Sequence, residues 1–234
     1  MSFIGRNAIV SPRAYLGDNV TLLGRVTVED GVIVEDGCMI GKPLVAEIAQ
    51  LCSTNGGRLV MPDWDSAADT VTVIARGCRV GRLSTVYGGS ILHEGVVCEE
   101  YSLVGNDSEI GARSRLMFHA QVGSRVRIGE DCRIGGLCCN DSVVGHHVSM
   151  FGHLLHAYRI PEGGRREPAP QLDDDVVVGF GAQIIGEVRV GRGSYIGAGS
   201  VITRNVPPES VATGVNHVCD LRRWRGRLRT TPSS

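Results

Sequence analysis

An aliphatic residue returns every six positions along most of this 234-residue chain. The series opens at Ile4 and continues through Val10, Leu16, Leu22, Val28, Val34 and Ile40. It resumes at Ile74 and runs Val80, Val86, Leu92, Cys98, Val104, Ile110, Leu116, Val122, Ile128 and Ile134. A slip follows, then Val144, Met150 and His156; the last series is Val178, Ile184, Val190, Ile196 and Ile202. Four places after the early aliphatics stand the small residues Ala8, Ala14, Val20, Val26, Val32 and Cys38. A spacing of six is neither a helical nor a simple strand period. It predicts short strands joined by tight turns, each six-residue unit making one flat side. Three sides make a rung, and rungs stack by parallel pairing around one shared core.

Composition agrees with a narrow interior. Only 5% of the residues are aromatic, so Val, Ile, Leu, Ala and Cys must fill the core. The 32 glycines suit corners, where the backbone takes conformations that side chains resist. A 42% hydrophobic and 21% charged chain is not disordered as a whole. A net charge of −1 argues against generic binding to nucleic acid or to a membrane surface. No apolar run reaches membrane-spanning length, and the Met1-Ser-Phe-Ile-Gly start lacks a signal-peptide layout. Cytoplasmic placement is the expectation. The eight cysteines form no C-x-x-C pair, which predicts free thiols in a reducing compartment.

Two interruptions break the period. Residues 43–72 hold Ala46-Glu-Ile-Ala-Gln-Leu-Cys, which predicts one or two helical turns, and then Gly56-Gly57 and Pro62-Asp-Trp-Asp. Residues 157–172 carry Pro161, Gly163, Gly164, Pro168 and Pro170 and predict an irregular loop. Residues 1–218 are therefore expected to form the coil with two excursions. Residues 219–234, with five arginines in eight positions, are expected to form a basic helix or tail that could attract phosphates. Trp64, Tyr158 and Trp224 fall outside the coil, and substrate contact is expected in those segments.

The in-frame repeats, and above all Val178-Gly-Phe-Gly-Ala-Gln-Ile-Ile-Gly through Tyr195-Ile-Gly-Ala-Gly-Ser-Val-Ile-Thr-Arg-Asn-Val-Pro-Pro, resemble the hexapeptide-repeat acyltransferases. The likeness is nearest to sugar-nucleotide N-acetyltransferases. Members commonly close this block with Gly-Asn-Pro-Ala or Gly-Val-Pro-Ala, whereas here Gly214-Val215-Asn216-His217 lacks the proline. The resemblance implies an all-β fold, the left-handed parallel β-helix. It also implies a homotrimer that moves an acyl group, acetyl first, from acyl-CoA to an amino or hydroxyl group of a small metabolite. An amino sugar or sugar nucleotide would be the acceptor. Neither a metal, nor nucleic acid, nor a membrane is implied.

Such transfer needs a base near neutral pKa, which suits histidine. His146, in Val144-Gly-His-His, resembles the Ile-x-His-Asp or Ile-x-His-Glu unit in which the histidine is the base; here His147 stands in place of the orienting acid. Asp141 or Glu187 could replace that acid if the fold brings it near. His156 takes an inward slot at the last position before the second excursion, and His119 is a corner residue. By resemblance Gly179, Gly197, Ala198 and Gly199 would line the pantetheine groove, while Arg204 and Arg192 would meet phosphate. Two alternatives stand beside this: a zinc enzyme like the γ-carbonic anhydrases, and a non-catalytic trimeric interaction solenoid.

Overall fold

The computed structural model describes residues 1–54, 56–57, 59–158 and 166–223. Three sheets of 10, 9 and 11 strands wrap around one core as a left-handed β-helix. Each successive strand joins the next sheet in turn, and strands three apart in order pair in parallel. Most strands are two residues long: the first side chain points out and the second points in. Along the first sheet the inward ladder reads Leu22, Ile40, Val86, Val104, Val122, Cys138, Leu154, Ile184 and Ile202, all buried. Each such side chain contributes roughly 1.5–3 kcal/mol of apolar burial.

The chain turns at three edges. The first edge joins the first sheet to the second, the second edge joins the second to the third, and the third edge returns to the first. Corners often hold a residue in the left-handed region, including Tyr101, His119 and His147 with φ of 60°, 61° and 57°. Such a conformation costs a side-chain-bearing residue about 1–2 kcal/mol. Hydrogen bonds to the preceding rung offset it, as from the His119 N–H to Glu100 O at 3.1 Å and from the His147 N–H to Glu130 O at 2.9 Å.

Both excursions leave from the first edge. The first contains α1 (Val45–Thr54) and α2 (Met61–Ala67), more helix than the one or two turns expected. The Glu47 carboxylate accepts the Leu44 N–H at 2.7 Å, and the Asp63 carboxylate accepts the Val60 N–H at 2.9 Å, so an acidic side chain in the first turn of each helix reaches back to the residue before it. Asp65 of α2 accepts the N–H groups of Gly24 and Arg6 at 2.7 and 3.0 Å, which pins the insertion to the upper rungs. The coil is already restored at Val71–Ile74 and, after the second excursion, at Gln171–Leu172.

Two corners of the third edge are each two residues short. Inward positions step from Ile134 to Cys138 and again from Met150 to Leu154. Gly135-Gly136 and Phe151-Gly152 make these tight corners, and a Cβ on Gly136, at φ 133°, would collide with the Gly152 carbonyl. The second omission corrects the expected register: Leu154 fills the core and His156 lies two residues beyond it, at the first edge. At the C-terminal end His217–Asp220 pairs antiparallel with Ser210–Thr213, and a single 3-10 turn, Leu221–Arg223, follows. Trp224 and most of the basic tail lie outside the described residues.

Candidate active site

His156 stands at the root of the second excursion, directly after the strand His153–Leu155. Its side chain is 14% exposed and the neighbouring Glu167 side chain 19%. Nδ1 lies 3.4 Å from the Pro168 carbonyl oxygen and 3.9 Å from Glu167 Oε2. A carbonyl oxygen only accepts, so Nδ1 carries the proton and Nε2 keeps its lone pair. Beside the histidine, Ala157, Glu167 and Pro168 wall a cavity of about 440 Å³, closed on the coil side by Gly186, Glu187 and Thr203. Arg204 follows Thr203 at the same edge, exposed and without an ion-pair partner among the described residues. Gly186 fixes the corner between them: its N–H donates to Leu155 O at 2.8 Å from a φ of 83°.

One level above, Arg125 grips Asp141 through two bonds of 2.7 and 2.8 Å, and Arg166 reaches Asp141 from the excursion at 3.3 Å. The hydrogen bond from Arg125, then the charges of Arg125 and Arg166, hold the Asp141 carboxyl below its usual range.

His146 occupies the second edge. Its Nδ1 accepts the Glu130 N–H at 3.2 Å, so in the neutral ring the proton sits on Nε2, where a base would need its lone pair. Its backbone N–H donates to Asp174 Oδ1 at 2.9 Å, and Arg192 is paired with the other oxygen of Asp174. That backbone bond, followed by the Arg192 charge, holds the Asp174 carboxyl below its usual range. Asp141 and Glu187 both belong to the first edge, so neither faces His146.

His119 belongs to the third edge, where it is exposed. Gly179, Gly197, Ala198 and Gly199 follow lower on that same edge. A Cβ on Gly179 would approach the Ala198 N within 2.6 Å, so rung stacking alone requires this glycine. Gly199, at φ 68°, faces open space. The residues singled out in the sequence are thus spread over three edges: His156 with Arg204, His146 with Arg192, and His119 with the glycine strip. Among the described residues no group of three His, Cys, Asp or Glu side chains stands close enough to hold a metal ion.

Glu167 and the third-edge residues Phe118, Phe151 and Phe180 take no role from the sequence, and His153 counts there only among the histidines that raise the zinc alternative. The available signal was the pair of four-residue steps, Ile134 to Cys138 and Met150 to Leu154, which interrupt an otherwise strict six.

The family profile described as bacterial transferase hexapeptide (six repeats) matches residues 170–204. The bifunctional protein GlmU of Geotalea uraniireducens is 28% identical over 148 residues, covering 60% of this chain and 31% of that protein. A serine acetyltransferase of Bacillus licheniformis is 34% identical over 105 residues, covering 45% of this chain and 43% of that one. The solved UDP-N-acetylglucosamine acyltransferase of Francisella novicida is 13% identical with a TM-score of 0.44, covering 94% of this chain and 70% of that chain. Over residues 170–204 the chain is therefore similar to the bacterial hexapeptide transferases, and its fold is a left-handed β-helix. It spans less than half the length of the two curated relatives.

Proposed function

We propose that the chain transfers an acyl group, acetyl first, from acyl-CoA to an amino or hydroxyl group of a small metabolite such as an amino sugar or sugar nucleotide. The observation that carries this is His156: a half-buried imidazole with Nδ1 facing an acceptor-only carbonyl, beside a cavity and under an excursion. The name of one relative, a serine acetyltransferase, supports the reaction class.

In the proposed step, Nε2 of His156 takes the proton from the acceptor as its nitrogen or oxygen attacks the thioester carbonyl. The tetrahedral oxyanion is met by a backbone N–H of the corner. Collapse expels the CoA thiolate, which takes the proton back from the imidazolium. The Pro168 carbonyl and the Glu167 carboxylate both favour the imidazolium while it exists. Arg204 lies within the same edge to meet a CoA phosphate. Three copies closing around an axis would set the smooth strip Gly197–Gly199 of one third edge against the first edge of the next, leaving a slot for pantetheine.

The test is release of CoA thiol from acetyl-CoA over a panel of amino sugars and sugar nucleotides, with CoA binding followed by calorimetry and mass by sedimentation. Thiol release with at least one acceptor and a trimeric mass are expected. A protein that neither binds CoA nor releases thiol overturns the proposal, and a trimeric mass would then favour the non-catalytic solenoid.

A further inference from the structure

The third edge carries a notch that the proposed chemistry does not use. The two shortened corners lie one above the other, and side chains are missing there in consecutive rungs. The result is a groove of about 560 Å³, within the range of small-molecule sites. Phe118 walls it above, and Phe151 and Phe180 below. The whole chain has only 4 phenylalanines, and three of them meet here. Phe118 is 62% exposed and Phe180 82% exposed, so neither contributes much to the core. Tyr101 packs edge-on against Phe118, with ring centroids 5.7 Å apart, and props it in place.

The polar groups of the notch narrow the ligand. His153 Nδ1 accepts the Leu137 N–H at 3.2 Å, which leaves the proton of the neutral ring on Nε2 as a donor. Gln121 adds a side-chain amide, and His119 a second imidazole. Glu99 is already engaged, accepting from Arg115 Nη1 at 3.0 Å and from the Phe118 N–H at 2.8 Å. Among the described residues no lysine or arginine lines the notch, so nothing there would neutralise an anionic ligand.

We propose that this notch is a binding site for a neutral planar ring, aromatic or heteroaromatic, that carries a hydrogen-bond acceptor read by His153 Nε2–H. The rings of Phe118 and Phe180 supply stacking faces, and the glycine corners supply the space. In the proposed trimer this third edge would face a neighbouring first edge, so the notch would open into the cleft between copies; the inference itself rests on the residues of one copy.

Benzamide is the probe, with cyclohexanecarboxamide as a control that keeps the carbonyl and loses the planar ring, and benzoate as a control that adds charge. Binding is read by ligand-observed NMR on the full chain. Benzamide is expected to bind more tightly than either control, and the double variant F118A/F180A to weaken it by about tenfold. H153F, which keeps a ring but removes the donor, is expected to weaken benzamide and leave toluene binding unchanged. Sedimentation of F118A/F180A distinguishes a ligand site from a contact between copies. Equal binding of all three probes, or loss of assembly in F118A/F180A with no effect on probe binding, overturns the proposal.

Discussion

The first and second edges of the coil are built on the same period and serve different ends. On the second edge, successive rungs answer one another with opposite charge. Arg113 bonds Asp131 at 2.9 and 2.8 Å and Glu130 at 2.6 Å, while Asp174 takes both the His146 N–H and Arg192. Every candidate group there is already committed to a neighbour in the next rung. On the first edge the period is broken by both excursions, and the groups at and below the second include the half-buried His156 and an exposed Arg204. Where the repeat is unbroken, side chains satisfy the stack; where it is interrupted, they are left for something else.

The largest expected effect breaks that comparison at its centre. H156Q removes the proposed base while keeping a polar side chain, and should lower kcat/KM by about 10²–10⁴-fold. H146Q, whose ring already accepts a backbone N–H, should change it by less than about threefold. Steady-state kinetics of the two variants with acetyl-CoA measures both, and a reversed order would move the site to the second edge.

The core gives the next effect. L154A empties a fully buried position in the rung that carries His156 and should cost about 2–5 kcal/mol in a denaturant titration. A loss below about 1 kcal/mol would mean that Leu154 does not hold this rung. The arginines come third. R204A should raise the KM for acyl-CoA about tenfold, the scale of one charge-assisted contact. R192A, held by Asp174, should alter it by less than about twofold.

The carboxylates set a smaller, pH-dependent difference. The folded pKa of Asp141 is depressed, chiefly by Arg125. Its contribution is therefore present above the unfolded value, near about 3.9, and is lost as pH falls through the folded one. Asp131 is depressed by Arg113 in the same sense, but its side chain is 38% exposed against 24% for Asp141. D141N should flatten the acid limb of Tm below about pH 4 more than D131N does, because solvent screens the more exposed pair. Equal flattening would show that the first edge holds its ion pair no better than the second.

The thiols give the smallest effect. Burial pushes Cys38 and Cys78 up to about 11, and Cys98 and Cys138 further. With six of the eight cysteines buried, only Cys52 and Cys219 should react promptly with a thiol reagent in the native protein. Prompt reaction of four or more would mean that the rungs open readily.

Much of the fold was legible because the period is geometric: an inward aliphatic every six residues leaves a stacked coil as the way to bury them all. The places of both excursions were legible for the same reason. The helices α1 and α2 were only half visible, because their apolar residues face no buried partner and so leave a weak pattern. The edges were harder. Each six-residue unit advances the chain by one side, so edge identity can be counted, but the steps at Ile134–Cys138 and Met150–Leu154 shift the numbering without changing the count of sides. That shift made His156 look inward, whereas Leu172, placed inside the expected 157–172 excursion, is buried and in step with Val178. It also hid the notch, because Phe151 and Phe180 align with Phe118 only after the omissions are counted.

The most direct measurement is a crystal structure of the protein with CoA bound. The account predicts pantetheine along the first edge, with its sulfur within reach of His156 Nε2 and a phosphate on Arg204. A sulfur placed beside His146 on the second edge, with His156 facing solvent, would contradict it.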